Sequence, residues 1–594
     1  MSEEEMRIGF YICNCKLNLS DIFDLDELLD FAQNQSGVQL AKYSKFLCSN
    51  LEQDRIIEDI KNNNLNRIIT FACSPDNYKP GFRNTLQQAG INPGFIKMID
   101  IGDNNEWINI NDPEVAIDLA KDQVKMGIKE VTELDPMDLK SVTVEPSCLV
   151  LGAGIAGMNA ALDLARKGYD VYLVEKEPTI GGHMAQLDKT FPTLDCSACI
   201  ITPTMSAVAR EKKIHLYTYS EVISIEGYVG NFVATIKKKP HYIDQDKCTG
   251  CGTCAEVCPV DCGNEFDLGM KARKAAYIPF PQAVPGQYTI DMEHCIKCGS
   301  CRDECPANAV NYEDEPEFEN IRIGTIVLTT GYAPFNPSQL KEYGYEKFSN
   351  VITGLQMERL LSSYGPTKGK IKRPSDKKEP STVVFQQCVG SRDFRPGKHN
   401  YCSRVCCMYA TKQARQFIEK HPDGNAIICY TDLRAFGKGY EEFYEVAQRE
   451  YGIQYIRGKI GEVFENKDQN VIVRVENTLL NEIYEIETDM LVLSVGLEPQ
   501  QDVEKVAELF GVQTSNDGFF QEAQAKTFPV ETFTEGVFIA GAAQGPKDIP
   551  DTVAQAKGAA SSAASLMGQG KVEIEKRRIV EIEEIISPTI KIQK

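Results

Sequence analysis

The chain has 594 residues, of which 42% are hydrophobic and 25% charged, and its formal net charge is −21. This acidity argues against nucleic acid and against an anionic membrane surface as partners, because both bind basic patches. No apolar run approaches the roughly 18 residues of a membrane span, and the acidic start MSEEEMRIGF is unlike a signal peptide. We therefore expect a cytoplasmic protein of roughly three or four domains.

The 21 cysteines lie in tight clusters along the sequence, whereas only six histidines are present. In a reducing compartment such clusters bind metal more often than they form disulfides. Cysteine-rich metal centres are therefore expected.

The first 140 residues are predicted to form a small α/β domain. RIGFYIC is a predicted strand that ends at Cys13, LNRIITFACS is another that ends at Cys73, and DRIIEDIKNNN between them has helical spacing. If the sheet is parallel, Cys13, Cys15, Cys48 and Cys73 meet at one edge and could hold an iron–sulfur cluster. A redox thiol pair or inert thiols are the alternatives.

A βαβ unit follows from about residue 146, with the strand CLVLGAG, the helix IAGMNAALDLARKG and the strand DVYLVEKE. The turn between strand and helix has the G-x-G-x-x-G spacing of a dinucleotide site, in which glycines let a pyrophosphate approach a helix N-terminus. Glu175, at the end of the second strand, could accept hydrogen bonds from ribose hydroxyls. The predicted dinucleotide-contacting residues are Gly152, Gly154, Ile155, Ala156, Gly157, Glu175, Lys176, Gly182 and His183.

This combination resembles the FAD domain of the pyridine nucleotide–disulfide oxidoreductases. The resemblance implies that the dinucleotide is FAD, with a nicotinamide nucleotide as the alternative. The resemblance extends to TIVLTTG, which ends at Gly331, and to FIAGAAQG around Gly541, where Ala542 replaces the aspartate of the family. It implies that the last loop passes the flavin ribityl chain. It also implies that the helix around 552–560 points its positive end at the flavin, which favours the anionic reduced form.

Residues 236–315 interrupt the α/β pattern with two C-x2-C-x2-C-x3-C-P runs. This is the pattern of two-cluster bacterial ferredoxins, in which the fourth cysteine of each run ligates the other cluster. One [4Fe–4S] cluster should therefore use Cys248, Cys251, Cys254 and Cys305, and the other Cys295, Cys298, Cys301 and Cys258. A pair of zinc ribbons, which use two C-x2-C pairs, is the alternative. Cys262 has no assigned role and is expected to be a buried thiol.

A second α/β region begins at STVVFQQC, where disulfide oxidoreductases bind NAD(P)H. The expected phosphate loop is instead Cys388-Val389-Gly390-Ser391-Arg392, with one glycine rather than three, so we infer that NAD(P)H does not bind there. Cys388, Cys402, Cys406 and Cys407 could hold a third cluster at the carboxyl ends of the strands, or the last two could be buried thiols on a helix. Lys412 could reach the flavin region, or it could be solvated.

Cys196 and Cys199 form a C-x2-C pair shortly after the flavin glycines. Three interpretations remain open from sequence: a dithiol that faces the flavin, additional cluster ligands, or structural thiols.

The whole order of motifs resembles the HdrA family, the flavin-containing subunits of heterodisulfide reductases in methanogens and other anaerobes. The segments that carry this resemblance are FYICNC, ITFACSP, GAGIAGMNAALDLA, GGHMAQLDKTFPTLDCSAC, both ferredoxin runs, QCVGSRD and YCSRVCCMYATKQA. The resemblance implies partner redox subunits, a ferredoxin and a homodimer within a larger complex. It also implies that Lys412 and Glu358 lie near the reactive flavin ring. Many members add a second ferredoxin domain, which this sequence does not include.

The predicted architecture is an α/β, Rossmann-type FAD-binding fold with an inserted ferredoxin domain and an N-terminal α/β domain. The predicted boundaries are 1–140, 146–235, 236–315, 316–380, 381–505, 506–570 and 571–594. The predicted function is flavin-based electron bifurcation between a disulfide-reducing partner and a low-potential ferredoxin. The alternatives are a stand-alone NAD(P)H-dependent disulfide reductase and a non-bifurcating wiring subunit.

Overall fold

The computed structural model describes residues 5–14, 19–22, 24–72, 75–100, 112–395 and 398–575. These residues form two compact units, one of the described residues up to 141 with 573–575, and the other of residues 142–572. None of the helices in these ranges is both long and apolar enough to cross a membrane.

The N-terminal unit contains a parallel four-stranded sheet with the strand order β2-β1-β3-β4. β1 and β3 are buried along their whole length, as expected for central strands covered on both faces. The elements are β1 (Ile8–Cys13), α1 (Leu25–Gln33), β2 (Val38–Ser44), α2 (Asn50–Asn62), β3 (Arg67–Ala72), α3 (Pro75–Ala89), β4 (Ile96–Asp100), α4 (Pro113–Thr132) and β5 (Leu139–Thr143). The predicted strands and helix of this region are therefore confirmed.

The second unit begins with the predicted βαβ pattern. Its first elements are β6 (Ser147–Leu151), α5 (Ile155–Arg166), β7 (Asp170–Val174), α6 (Ser197–Arg210), β8 (Ile214–Tyr217), β9 (Ser220–Tyr228) and β10 (Asn231–Lys238).

The cysteine-rich segment follows β10 and interrupts the α/β pattern of this unit. Its short elements are α7 (Thr253–Glu256), β11 (Asp261–Gly263), β12 (Ala272–Lys274), β13 (Ala276–Tyr277), β14 (Thr289–Ile290) and α8 (Ser300–Asp303). The next strands are β15 (Glu317–Ile323) and β16 (Thr325–Leu328). β15 pairs antiparallel with β10 so that Glu317 lies opposite Lys238. The segment is therefore inserted between two paired strands.

The remaining elements complete a second α/β region and return to the first. They are β17 (Ala333–Pro334), β18 (Val351–Thr353), α9 (Gly354–Leu361), β19 (Thr382–Val389), α10 (Cys406–Lys420), β20 (Asn425–Tyr430), α11 (Tyr440–Arg449), β21 (Gln454–Arg457), β22 (Ile460–Glu465), β23 (Val471–Asn477), β24 (Glu482–Thr488), β25 (Met490–Val495), β26 (Leu497–Glu498), α12 (Val503–Phe510), β27 (Val537–Ile539), α13 (Ile549–Gly568) and β28 (Lys571–Glu575).

Two parallel five-stranded sheets organise the second unit. The first has the order β27-β16-β6-β7-β8, and α5 and α13 pack on it through small buried residues such as Ala160 and Ala560. The second has the order β18-β25-β19-β20-β21. Each parallel sheet is accompanied by a three-stranded antiparallel sheet, β15-β10-β9 and β22-β23-β24 respectively. The predicted α/β class with an inserted cysteine-rich module is confirmed.

Candidate functional site

The glycine turn between β6 and α5 is shaped by close backbone contacts. Gly152 has a φ of 94°, and a Cβ there would lie 2.6 Å from the Thr329 carbonyl oxygen. A Cβ on Gly157 would lie 1.8 Å from the Gly152 carbonyl oxygen, so only glycine fits. Gly154 instead faces open space and begins α5 without a side-chain cap. Because the first N–H groups of a helix need acceptors, this end of α5 fits a pyrophosphate.

The residues after β7 surround the same turn. The Glu175 carboxylate accepts hydrogen bonds from the Ala153 N–H at 2.7 Å and the Glu177 N–H at 3.1 Å, and burial raises its pKa. A Cβ on Gly182 would lie 3.2 Å from Gly154 Cα. The structure therefore brings Glu175 and Gly182 to the turn, whereas Lys176 points to Asp502, 3.5 Å away.

His183 and Gly331 lie at a neighbouring loop. The His183 ring nitrogens lie 2.7 Å from Gln186 Oε1 and 3.1 Å from the carbonyl oxygen of Tyr332, the residue after Gly331. Burial raises the pKa of Tyr332, and the nearby Cys406 thiol and Glu358 carboxylate raise it further. Tyr332, which the sequence motifs did not mark, therefore lies between the glycine loops and the cysteines of the second sheet.

The loop after β27 packs against the start of α5. Gly541 has a φ of 73°, and a Cβ there would lie 2.9 Å from the Ala156 Cβ. Ala542, next to it, is buried. Lys547 donates to the Gly541 carbonyl oxygen at 2.9 Å, and burial lowers its pKa to about 8. Lys547 was missed from sequence because a lysine in a loop carries no burial signal.

Lys412 and Glu358 form a buried ion pair between α10 and α9. The Lys412 Nζ lies 2.5 Å from Glu358 Oε1, and the two side chains are only 1% and 2% exposed. Lys412 also donates to the Lys189 carbonyl oxygen at 2.7 Å, and Glu358 accepts from the Asp188 N–H at 3.1 Å. The solvated alternative for Lys412 is therefore wrong.

The first ferredoxin set surrounds one cavity. Its lining includes three cysteines of the first run, Cys248, Cys251 and Cys254, together with Cys305 of the second run. Burial, together with the neighbouring Cys248 thiol, raises the pKa of the Cys254 thiol to about 12. A metal cation beside such buried thiols would stabilise their thiolate form. The set fits the predicted cross-ligated cluster.

The second set has the complementary composition. Burial raises the pKa of Cys301, and the Cys295, Cys258 and Cys298 thiols next to it raise it further. Cys258 comes from the first run, so the exchange of fourth cysteines is reciprocal. Each run also has the same local geometry, since Gly252 and Gly299 both have a φ of 88° before a four-residue helix.

The third set lies at the carboxyl edge of the second parallel sheet. Burial raises the pKa of Cys406 well above its ordinary value, and the nearby Cys407, Cys388 and Cys402 thiols raise it further. Cys388, near the end of β19, has a φ of 59°, which non-glycine residues rarely adopt. The four thiols thus converge, which is the donor set of a [4Fe–4S] cluster.

Polar groups without protein partners accompany the third set. Within the described residues, the amide of Gln387, Nη1 of Arg392 and the hydroxyl of Ser494 are buried without a hydrogen-bond partner. Gln387 and Arg392 flank Cys388 in the sequence, and Ser494 lies on β25, the neighbour of β19. Such groups supply donors that tune a cluster.

Two of the four N-terminal cysteines can be placed. Cys13 ends β1, and its thiol lies 3.8 Å from the Lys45 carbonyl oxygen, while Cys48 is exposed just before α2. Cys15 and Cys73 lie outside the described residues. The N-terminal cluster therefore stays a prediction.

Cys262 and the pair Cys196–Cys199 are not members of these sets. The buried Cys262 accepts a hydrogen bond from Arg273 Nη1 at 3.1 Å. Cys196 and Cys199 are joined as a disulfide.

Domain-family comparisons agree with this organisation. Residues 150–211 match the NAD(P)-binding Rossmann-like domain, and residues 241–262 and 288–311 match the 4Fe-4S binding domain. The fold and these matches define an oxidoreductase that contains FAD and [4Fe–4S] clusters.

Curated relatives narrow this class to one family. The chain is 49% identical over 577 residues to an iron-sulfur HdrA protein of the CoB–CoM heterodisulfide reductase of Methanopyrus kandleri, and the match covers 97% of this chain and 88% of that protein. It is 48% identical over 572 residues to the HdrA protein of the H(2):CoB-CoM heterodisulfide,ferredoxin reductase of Methanothermobacter thermautotrophicus, covering 96% and 87%. The chain belongs to the HdrA family of heterodisulfide reductases. It is the FAD- and iron–sulfur-containing electron-transfer subunit of such a reductase.

Proposed function

We propose that this protein takes part in flavin-based electron bifurcation between a disulfide-reducing partner and a low-potential ferredoxin. By similarity to its relatives, the disulfide is of the CoB–CoM type. The observation that carries the proposal is the group of four thiols where a disulfide oxidoreductase would hold NAD(P)H. A site that contains sulfur ligands in place of a phosphate loop favours single-electron exchange over hydride transfer.

The FAD is proposed to lie on the glycine turn of β6 and α5. Bound flavin supplies a centre that accepts an electron pair and can release single electrons. Gly154 gives the pyrophosphate room, the N-terminal N–H groups of α5 bind it, and the Glu175 carboxylate accepts from ribose hydroxyls. The residues proposed to line the site are Gly152, Gly154, Ile155, Ala156, Gly157, Glu175, Lys176, Gly182, His183, Gly331, Gly541 and Ala542.

The clusters are proposed to be held by the thiol sets described above. Two of these belong to the ferredoxin insertion, and the third comprises Cys388, Cys402, Cys406 and Cys407. A fourth would involve Cys13, Cys15, Cys48 and Cys73. Potentials of such clusters span about −700 to +450 mV across proteins, so both an uphill and a downhill acceptor are physically available.

Access of NAD(P)H to the second sheet is opposed by the residues present. A Cβ on Gly390 would lie 2.1 Å from the Phe335 ring, so its lack of a side chain serves packing against Phe335. Cys388 occupies the position where a backbone would have to approach a pyrophosphate.

Lys412 and Glu358 are proposed to act close to the flavin. Their pair is tied to residues 188 and 189, which follow the flavin-loop residues Gly182 and His183 along the chain. Lys412 Nζ would present a charged hydrogen-bond donor there, while Glu358 fixes its position.

The proposal is tested in the assembled complex with its partner subunits, kept free of oxygen. Ferredoxin reduction is followed with and without the heterodisulfide, using the same electron donor. We expect ferredoxin reduction only when the disulfide is present, with one electron of each donor pair passing to ferredoxin and one to the disulfide. Each disulfide reduced should therefore consume two donor pairs and deliver two electrons to ferredoxin. Disulfide reduction that continues at full rate without ferredoxin would show a wiring role instead. Light scattering of the purified chain tests the proposed homodimer.

A further inference from the structure

The Cys196–Cys199 pair has a position that neither the flavin nor the clusters explain. Both residues are exposed, and the Cα atoms are 5.2 Å apart, within the range of an ordinary disulfide. A [4Fe–4S] cluster takes four thiolates, and this pair supplies two. A disulfide that spans three positions constrains the unfolded chain very little, so stabilising the fold is a weak reason for it.

The two thiols differ in their surroundings. Cys196 is the N-cap of the 14-residue helix α6, and its Sγ accepts a hydrogen bond from the Cys199 N–H at 3.2 Å. A thiolate at that place would be stabilised by the helix N-terminus and by this N–H. Cys196 is therefore the attacking thiol and Cys199 the resolving one.

The pair is carried on an ordered hairpin rather than on a loose loop. The Ser197 N–H donates to the Asp188 carbonyl oxygen at 2.9 Å, and the Thr190 N–H donates to the Asp195 carbonyl oxygen at 2.9 Å. The Ser197 hydroxyl, fully buried, donates to the Met184 carbonyl oxygen at 2.7 Å. The same hairpin contacts the buried ion pair, because Lys412 donates to the Lys189 carbonyl oxygen.

We propose that Cys196 and Cys199 form a surface redox couple that exchanges two electrons with a disulfide compound. The Cys196 thiolate attacks one sulfur of that disulfide, forms a mixed disulfide and releases one thiolate. The Cys199 thiolate then attacks Cys196 Sγ, closes the internal disulfide and releases the second thiolate. The external disulfide gains two electrons and two protons, and the dithiol loses them.

The test uses the full holoprotein without oxygen. It is first reduced with excess dithiothreitol, desalted, and treated with hydroxyethyl disulfide in one arm and oxidised thioredoxin in the other. After acid quenching and maleimide labelling, mass spectrometry of the peptide that contains Cys196 and Cys199 reports two labels or none. We expect reversible conversion from two labels to none in at least one arm, and the arm identifies a small or a protein-borne disulfide.

Four variants test the redox couple. C199S should form a mixed disulfide about tenfold faster than C196S, whereas C429S, a buried strand thiol, should react like the parent. Two labels retained in both arms, or equal rates for C196S and C199S, would overturn the proposal. So would a loss of about four irons per chain in C196S/C199S, which would make the pair cluster ligands.

Discussion

Lys412 Nζ and Glu358 Oε1 lie 2.5 Å apart in a pair that is almost completely buried. Removing one partner of a buried ion pair leaves an uncompensated charge and costs about 3–5 kcal/mol. We therefore expect K412M and E358Q each to lower the apparent unfolding midpoint strongly. The double variant K412M/E358Q should recover much of that loss, since neither charge remains. Thermal unfolding followed by flavin release measures this, and additive losses would contradict direct pairing.

The reciprocal ferredoxin ligation predicts which double variants behave alike. C248S and C305S affect the same cluster, so C248S/C305S should lose about four irons per chain, no more than either single variant. C248S/C258S affects both clusters and should lose about eight. Iron and sulfide quantitation of anaerobically purified protein distinguishes the two. A loss of about eight irons in C248S/C305S and about four in C248S/C258S would instead mean that the four cysteines of each run bind one cluster.

The third cysteine set predicts a separate group of about four irons. C388S, C402S, C406S and C407S should each lose that group while the ferredoxin clusters stay. The matched control is C429S, because Cys429 is a buried thiol on β20 and burial alone raises its pKa to about 12. Unchanged iron in all four variants would make them ordinary buried thiols.

Alanine substitutions at the second and third glycines of the G-x-G-x-x-G turn, Gly154 and Gly157, should have different effects. A Cβ on Gly157 clashes with the backbone of Gly152, so G157A should weaken the fold and FAD retention together. Gly154 faces open space, so G154A should fold normally but retain little FAD, because its methyl group occupies room that the pyrophosphate needs. Circular dichroism and the FAD-to-protein ratio check both. Full FAD retention in G154A would show that the nucleotide binds elsewhere in the protein.

We expect the start of the ferredoxin insertion, just after β10, to lose stability at acidic pH because of His241. Burial lowers its pKa from 6.5 to about 4. Between these values the unfolded chain binds the extra proton, so the stability supplied by the neutral ring is present above pH 6.5 and lost as pH falls towards 4. Hydrogen exchange of the Ile290 amide, which donates to the His241 carbonyl oxygen, measures this locally. In H241Q, most of the increase in local opening at Ile290 between pH 7 and pH 5 should disappear. An equal increase in H241Q and in the parent protein would contradict the role of His241.

Local motifs were predictable from sequence, whereas contacts between distant segments were not. The turn at Gly152 and the two ferredoxin runs are set by spacing within about ten residues. The environment of Lys412 depends on a carbonyl group 223 positions away, and Tyr332 lies near Cys406 only because two sheets meet. The convergence of Cys388 with Cys402, Cys406 and Cys407 was predictable because the strands of an α/β sheet end at one edge. The asymmetry of Cys196 and Cys199 required the position of the α6 N-terminus.

We propose that electrons reach the flavin of this protein through metal centres rather than as hydride from a nicotinamide. The most direct measurement mixes the isolated anaerobic holoprotein with reduced ferredoxin or with NADPH and follows the visible flavin absorbance. We expect bleaching by reduced ferredoxin and none by NADPH. Rapid stoichiometric bleaching by NADPH would contradict it.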